Sequence, residues 1–242
     1  GLNPDVAFDV SVDANGIVFT TGGFNGTVDF NPGTGVFTLS SAGSEDVFVL
    51  KLDALGNFVW AKSFGGINFD SANSITVDAL GNIYSLGTFE GTADFDPNAA
   101  VSNITSSGFY DVFISKLDNS GNFIWAKNLN GIDYEDAFAI NTDINGCVVF
   151  SGCFSSTVDF NPGAGVFNLT PTGIQDIFIS MLDNAGNFLW AIALKGNNNI
   201  GCGISILVDA SNNIYTTGFF RSTVDFNPDA ATFNLTASGQ ED

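Results

Sequence analysis

Apolar and polar positions in this chain recur in blocks. The block DVFVLKLDALGNFVWA from Asp46 to Ala61 returns as DVFISKLDNSGNFIWA from Asp111 and as DIFISMLDNAGNFLWA from Asp176, a period of 65 residues, and one inserted residue puts the next start at Asp242. A fixed period marks a tandem array, in which one supersecondary unit buries its apolar surface against its neighbours. Within the block, VFVLKL is apolar on both alternating faces, with Phe48, Leu50 and Leu52 on one side and Val47 and Val49 on the other. A strand needs that pattern when its sheet is covered on both sides. Helical periodicity is absent, and 28 Gly disfavour it further.

Turn signals punctuate the strands. One set opens at Asp53, Asp118 and Asp183, a second at Asp13, Asp78, Asp143 and Asp209, and each Asp is followed three residues later by Gly, or by Asn212 in the last copy. Asp at the first position of a type I turn can bond the backbone ahead of it, and Gly or Asn tolerates the left-handed conformation that closes the hairpin with a bulge. The flanks then read as four strands per repeat: SITVDA, NIYSLGTF, VFVLKL and NFVWAKS in the second register of the array. The tryptophans of the last strand, Trp60, Trp125 and Trp190, are expected to pack between neighbouring sheets.

The fold expected is all-β: a β-propeller of four-stranded antiparallel blades with a repeat of 65–66 residues. Blades are expected at about 1–65, 66–130 and 131–196, with a partial fourth at 197–242, so that about 3.5 blades are present. Propellers run from four to eight blades, so the region is expected to belong to a larger, about seven-bladed ring. The remaining blades would come from the same chain or from a second chain.

Composition narrows the function. With 6 Lys+Arg against 26 Asp+Glu, a formal charge of −20 excludes a phosphate-binding surface, so no nucleic acid is expected. No apolar run is long enough to insert in a membrane. The chain has no His, which removes Ser-His-Asp triads, Cys-His pairs and histidine zinc sites. Paired carboxylates remain conceivable, but most acids recur in every repeat and are expected to build it. The acids that break the symmetry, Asp9, Glu90, Asp133, Asp136 and Asp229, are expected to be exposed charge, and their clustering in one cleft would favour an enzyme. No catalytic residue is assigned. Three Cys (Cys147, Cys153, Cys202) fall outside the repeat pattern. They are expected to be buried, inert thiols, since an odd number leaves at least one unpaired and Cys147 and Cys153 lie about 20 Å apart along one strand.

A further element separates the second and third strands of each repeat: TVDFNPG, TADFDPN, TVDFNPG and TVDFNPD. Its Pro precedes a tight turn, and the segment that follows is expected to return along the rim of its own blade. Asp29 and Asn31, Asp94 and Asp96, Asp159 and Asn161, and Asp225 and Asn227 put two oxygen ligands on one face of an extended segment, with Phe pointing the other way. Two readings stand side by side: an Asx-type turn brace, and a calcium site on the rim loop.

The blocks DxFxxKLDxxGNFxWAK and VDxxGNIYxxGxF, together with the DFNPG element, resemble the bacterial β-propeller repeats called SBBP repeats, and the resemblance covers the whole chain. It implies a large secreted or surface protein, of the kind found in Bacteroidota. The expected function is a non-catalytic extracellular or cell-surface module in binding, adhesion or spacing, with a protein or glycan partner and calcium as the single cofactor considered. The alternative is the propeller part of a glycan-active lyase or hydrolase, with its site in the channel or in further blades.

Overall fold

The computed structural model describes residues 4–197, 201–229 and 231–239; Gly1 and Asp242, which mark the ends of the repeat alignment, lie outside the described residues. The Asp-led turns fold as their spacing predicts. The carbonyls of Asp13, Asp53, Asp78, Asp118, Asp143, Asp183 and Asp209 each accept the N–H of the residue three positions on, at 2.9–3.0 Å. That residue has positive φ in every case, 74–81° at the glycines and 63° at Asn212. The Asp side chain completes the turn: Asp53 Oδ1 accepts the N–H groups of Leu55 and Asn57, both at 2.8 Å, and Asp53 Oδ2 accepts the Asn57 amide at 2.8 Å. These donors hold the Asp53 carboxyl below the usual carboxylate range, the Asn57 amide contributing most.

A Cβ added at Gly56 would meet no atom within 4 Å, so a substitution there is opposed only by backbone strain. Gly56→Val is therefore expected to cost about 1–2 kcal/mol more than Gly56→Asn. Urea unfolding of the two variants measures the difference, and equal losses would contradict the left-handed turn.

Between the turns run antiparallel strands, and no helix occurs among the described residues. The first repeat supplies β1 (Val6–Val12), β2 (Val18–Asp29), β3 (Thr38–Leu52) and β4 (Phe58–Gly66). The second supplies β5 (Asp70–Val77), β6 (Ile83–Phe89), β7 (Thr92–Asp94), β8 (Asn103–Thr105), β9 (Asp111–Leu117) and β10 (Phe123–Asn128). The third supplies β11 (Glu135–Thr142), β12 (Val148–Phe154), β13 (Val158–Asp159), β14 (Asn168–Leu169), β15 (Asp176–Leu182) and β16 (Phe188–Asn197). The last supplies β17 (Cys202–Val208), β18 (Ile214–Phe219), β19 (Thr223–Asp225) and β20 (Asn234–Thr236). The chain forms two compact units, residues 1–106 with 112–128 and residues 107–111 with 129–242.

In the first unit the sheets run β1-β2-β3-β4-β7-β8 and β10-β9-β6-β5; in the second they run β11-β12-β15-β16-β19-β20, with β13-β14 and β17-β18 as separate pairs. This order corrects the expected course of the DFNP element. In the first repeat it does lengthen β2 and return on β3, pairing Asp29 with Thr38. The hairpin β7-β8 instead adds to the preceding repeat, Gly65 pairing with Asp94 and Gly66 with Ala93. β19-β20 likewise adds to β16, and a single bridge joins Asn130 to Asp159. The fourth strands β4 and β16 are therefore not the outer edges of their sheets, whereas β10 remains at the edge of its own. The rim hairpin of the next repeat extends each of the two, so backbone hydrogen bonds as well as side chains tie consecutive repeats together.

Because strands in the middle of these sheets are apolar on both faces, the core forms between sheets. In the first unit Phe19, Val47 and Val49 of one sheet pack with Ile75, Ile83, Phe89 and Phe113 of the other, and Trp60 lies partly buried against this cluster. In the second unit Ala139, Val149 and Ile179 pack with Ile206, again with the tryptophan, Trp190, at the margin. The DFNP phenylalanines point inward as the alternation predicts. Phe95 lies 5.3 Å from Phe89 and 5.1 Å from Phe113, and Phe160 lies 5.5 Å from Phe154 and 5.0 Å from Phe178.

One register position carries a compensating change. Lys51 lies 5.3 Å above the Phe19 ring and Lys116 lies 4.8 Å above Tyr84, buried cations held over aromatic faces. In the third repeat the same cross-strand pair is Val149 and Met181, two apolar residues in one cluster.

The cysteines differ from the expectation. Cys153 of β12 and Cys202 of β17 form a disulfide across 49 residues, leaving Cys147 as the free thiol. Spacing along one strand correctly separates Cys147 from Cys153, but cannot show that the first strand of the next repeat lies beside β12.

Candidate functional site

The DFNP loops repeat their polar contacts residue by residue. Asp29 Oδ1 accepts the N–H groups of Asn31 at 3.0 Å and Phe37 at 2.9 Å. Asp94, Asp159 and Asp225 do the same at 2.8–3.1 Å toward Asp96 and Ser102, Asn161 and Phe167, and Asn227 and Phe233. The second polar residue closes the next turn: Oδ1 of Asn31, Asp96, Asn161 and Asn227 accepts the N–H two residues on, at 2.8–3.0 Å. The N–H donors of Phe37 and Asn31 hold the Asp29 carboxyl below its usual range. Each loop thus carries a two-stage Asx brace that uses one oxygen of each first Asp. Among the described residues, no group of three or more His, Cys, Asp or Glu is arranged to hold a metal ion.

A second polar arrangement lies at the turn end of the first unit. There the Asp13 and Asp78 turns and Asn119 enclose a cleft of about 260 Å³, lined by Asp13, Asn15, Asp78 and Asn119 with Val12, Val77 and Leu80 at its walls. Burial pushes the Asp13 carboxyl up, yet the N–H groups of Ile17 and Asn15, the Asn15 amide and the charge of Lys51 together hold it below the ordinary range. Lys51 Nζ donates to the Asn119 carbonyl at 2.9 Å and to its side-chain oxygen. Burial pushes Lys51 below the usual lysine range, opposed by Asp13 and Asp118. The cleft is a polar cavity with fixed walls. Its carboxylates accept backbone donors of their own turns and present their remaining acceptor capacity to a ligand.

Within each unit the symmetry-breaking acids have different surroundings. In the first unit, Asp9 Oδ2 accepts the Ser74 hydroxyl at 2.7 Å and the Ile75 N–H at 2.9 Å, whereas Glu90 adjoins Asp70. In the second, Asp133 acts on Glu135, and burial alone pushes Asp136 up. Only Asp133 and Asp229 are the exposed charges expected; Asp9, Glu90 and Asp136 are half-buried. The buried acids that matching identical repeats misses are Asp70 and Glu135. They share a register position but differ in residue type, and the next copy has Gly201 there, so matching identical residues hides them.

No family model matches the chain. Over 192 residues, 67% of its length, it is 27% identical to an uncharacterized WD repeat-containing protein of Acanthamoeba polyphaga mimivirus, of which the match spans 13%. Over 145 residues, 60% of its length, it is 26% identical to the regulatory protein FlaEY of Caulobacter vibrioides, spanning 15% of that protein. The chain thus covers a small part of either curated relative. With its antiparallel all-β repeats and its likeness to a WD-repeat protein, it has the character of a β-propeller-like repeat fold.

Proposed function

We propose that the chain is a non-catalytic module of a secreted or cell-surface protein, an SBBP-type propeller region of about three and a half blades that acts in binding, adhesion or spacing. The observation that carries this reading is the use of its repeated acids: the turn and rim-loop aspartates accept the backbone N–H groups of their own loops. Acids held in this way build repeats. The Cys153–Cys202 disulfide supports an extracellular setting, since such bonds persist in oxidising compartments. Exposed apolar side chains along β1, among them Phe8 and Val10, support cover by further blades of the same chain or of a second one. Calcium enters the proposal only through the Oδ2 atoms of Asp29, Asp94, Asp159 and Asp225, which the braces leave over.

The experiment is a binding survey against soluble polysaccharides and surface proteins, run with millimolar calcium and with chelator, using the wild type and Leu80→Arg. Leu80 is exposed at the lip of the cleft, so this change fills the cleft and leaves the braces intact. Binding that Leu80→Arg abolishes without changing the melting temperature is the expected result. Release of reducing ends or unsaturated sugars from any polysaccharide would overturn the non-catalytic reading.

A further inference from the structure

Strand ends from consecutive repeats bring carboxyl groups together out of reach of water. In the first unit these are Asp46 of β3 and Asp70 at the head of β5, 3% and 1% exposed. The point where Gly65 would carry a Cβ lies 2.9 Å from Asp46 Cγ, 3.0 Å from Asp46 Oδ1 and 2.9 Å from Asp70 Oδ2, so the two groups meet over a glycine that leaves them room. Each is half satisfied. The Ala42 N–H donates to Asp46 Oδ2 at 3.0 Å and the Gly66 N–H to Asp70 Oδ2 at 2.6 Å, while Asp46 Oδ1 and Asp70 Oδ1 are buried without any partner.

In the second unit Asp111 and Glu135 are both almost fully buried, and here the first acid is satisfied: Ser107 donates its N–H to Asp111 Oδ2 at 3.1 Å and its hydroxyl toward both Asp111 oxygens at 3.2 and 3.4 Å. Glu135 Oε1 accepts the Ser156 hydroxyl at 3.2 Å, and Glu135 Oε2 is left without a partner. Gly131, which stands at the Gly66 position, makes the space for Glu135, because a Cβ there would lie 2.0 Å from Glu135 Oε1. The other charges acting on the pairs are Glu90 on the first and Asp133 on the second, both negative.

The third copy is an internal control. Gly201 replaces the second acid, and Asp176 has no unsatisfied oxygen: Thr172 donates its N–H at 2.9 Å and its hydroxyl at 3.2 Å to Oδ2, Gly196 N–H reaches Oδ1 at 3.4 Å, and Lys195 acts on it. Asp176 is thus satisfied as Asp111 is, and the orphaned oxygens lie on Asp46, Asp70 and Glu135, in the two copies that carry the second acid.

We propose that each pair is a proton-sharing joint between consecutive repeats, with one proton held between the Asp46 and Asp70 carboxyls and another between Asp111 and Glu135. The shared proton turns one carboxyl into a donor for the other and removes one of two adjacent buried charges. A charge-assisted O–H···O⁻ bond of this kind is short and strong. Burial first, then the neighbouring acids, pushes Asp70 up to about 7 and Glu135 up to about 8, and burial pushes Asp46 up to about 6, the direction in which a shared proton is held.

Unfolded carboxyls titrate near pH 4, so the folded chain holds protons that the unfolded chain has lost from about pH 4 up to about 7 at Asp70 and about 8 at Glu135. Stability from the joints is complete below that window and is lost as pH rises through the folded values. Each shared proton changes the unfolding constant by up to about tenfold per pH unit within it. Asp136 and Asp176, which burial also pushes up, act with the same sign, whereas turn acids such as Asp53 act oppositely at lower pH.

The test is proton release on thermal unfolding at pH 5.5, measured by calorimetry in buffers of different ionisation enthalpy. Asp70→Asn with Glu135→Gln mimics the protonated partners, so this double variant should release about two fewer protons than the wild type and lose less stability from pH 5 to pH 8. Equal release would overturn the proposal. So would a stabilisation of the wild type at pH 8 by millimolar calcium that the double variant lacks, which would make the shared ligand a cation. Carboxyl-carbon NMR on the wild type does not depend on the variant folding. Paired acids titrating together between pH 6 and 8 support the joints, and all acids titrating near pH 4 refute them.

Discussion

Reduction of the Cys153–Cys202 disulfide, or replacement of both cysteines by Ser, is expected to destabilise the second compact unit by up to about 4 kcal/mol, the loop-closure value for a cross-link of this span. The bond closes a sequence separation of 49 residues and ties β17 to β12. β17 and β18 form a two-stranded sheet, and a hairpin of that size is marginal in water unless something holds it. Its side chains at Ile204, Leu207 and Tyr215 are exposed, so packing covers only one face of the pair. Hydrogen exchange should therefore speed up first at β17 and β18 when reductant is added. Protection unchanged by reduction would mean that packing against Ile177 and Ile179 alone secures the hairpin. Cys147→Ser is the control: burial, and after it the nearby Asp143, push the Cys147 thiol up, so it is expected to react slowly and its loss to change little.

The parts of this fold that were legible in the sequence are local or periodic. An Asp followed three residues later by Gly closes its turn whatever surrounds it, which is why Asn212 can stand in the last copy with φ of 63°. Apolar residues on both faces of VFVLKL require cover on both sides, and the observed core lies between sheets. Alternation along DFNP sends the phenylalanine inward and the polar oxygens outward. What was not legible depends on pairing between repeats. Two or three residues per strand decide that β7 joins β4, too few to leave a pattern. The disulfide links non-equivalent positions of two repeats. The acid pairs join Asp46 of one repeat to Asp70 of the next, and the second acid changes to Glu135 and then to Gly201. The calcium expectation placed on the DFNP acids came from their spacing, which an Asx brace shares, so sequence alone could not divide the two.

Phe113→Ala and Phe8→Ser are expected to act in opposite ways, although both remove a phenylalanine from a strand of the first unit. Phe113 is fully buried on β9, with the rings of Phe95, Phe64 and Phe89 at 5.1, 5.9 and 6.5 Å. Truncation leaves a cavity that strands paired on both edges cannot close, at a cost of about 3–5 kcal/mol. Phe8, 53% exposed on β1, stands at the position that Asn73 takes in β5, while its exposed neighbours Val10 and Val12 correspond to Ile75 and Val77, which pack against the preceding sheet. The β1 face therefore repeats a surface that a neighbouring sheet covers elsewhere in the array. Phe8→Ser with Val10→Ser should change stability by no more than about 0.5 kcal/mol per site, as surface substitutions do. The same pair of changes should weaken self-association in sedimentation velocity, because an apolar patch of this kind is otherwise closed by another copy or another blade. Phe113→Ala should lower the melting temperature without that loss of association. A wild type that sediments as a monomer at high concentration, or a double variant that associates as strongly as the wild type, would show that the β1 face has no partner of its own kind.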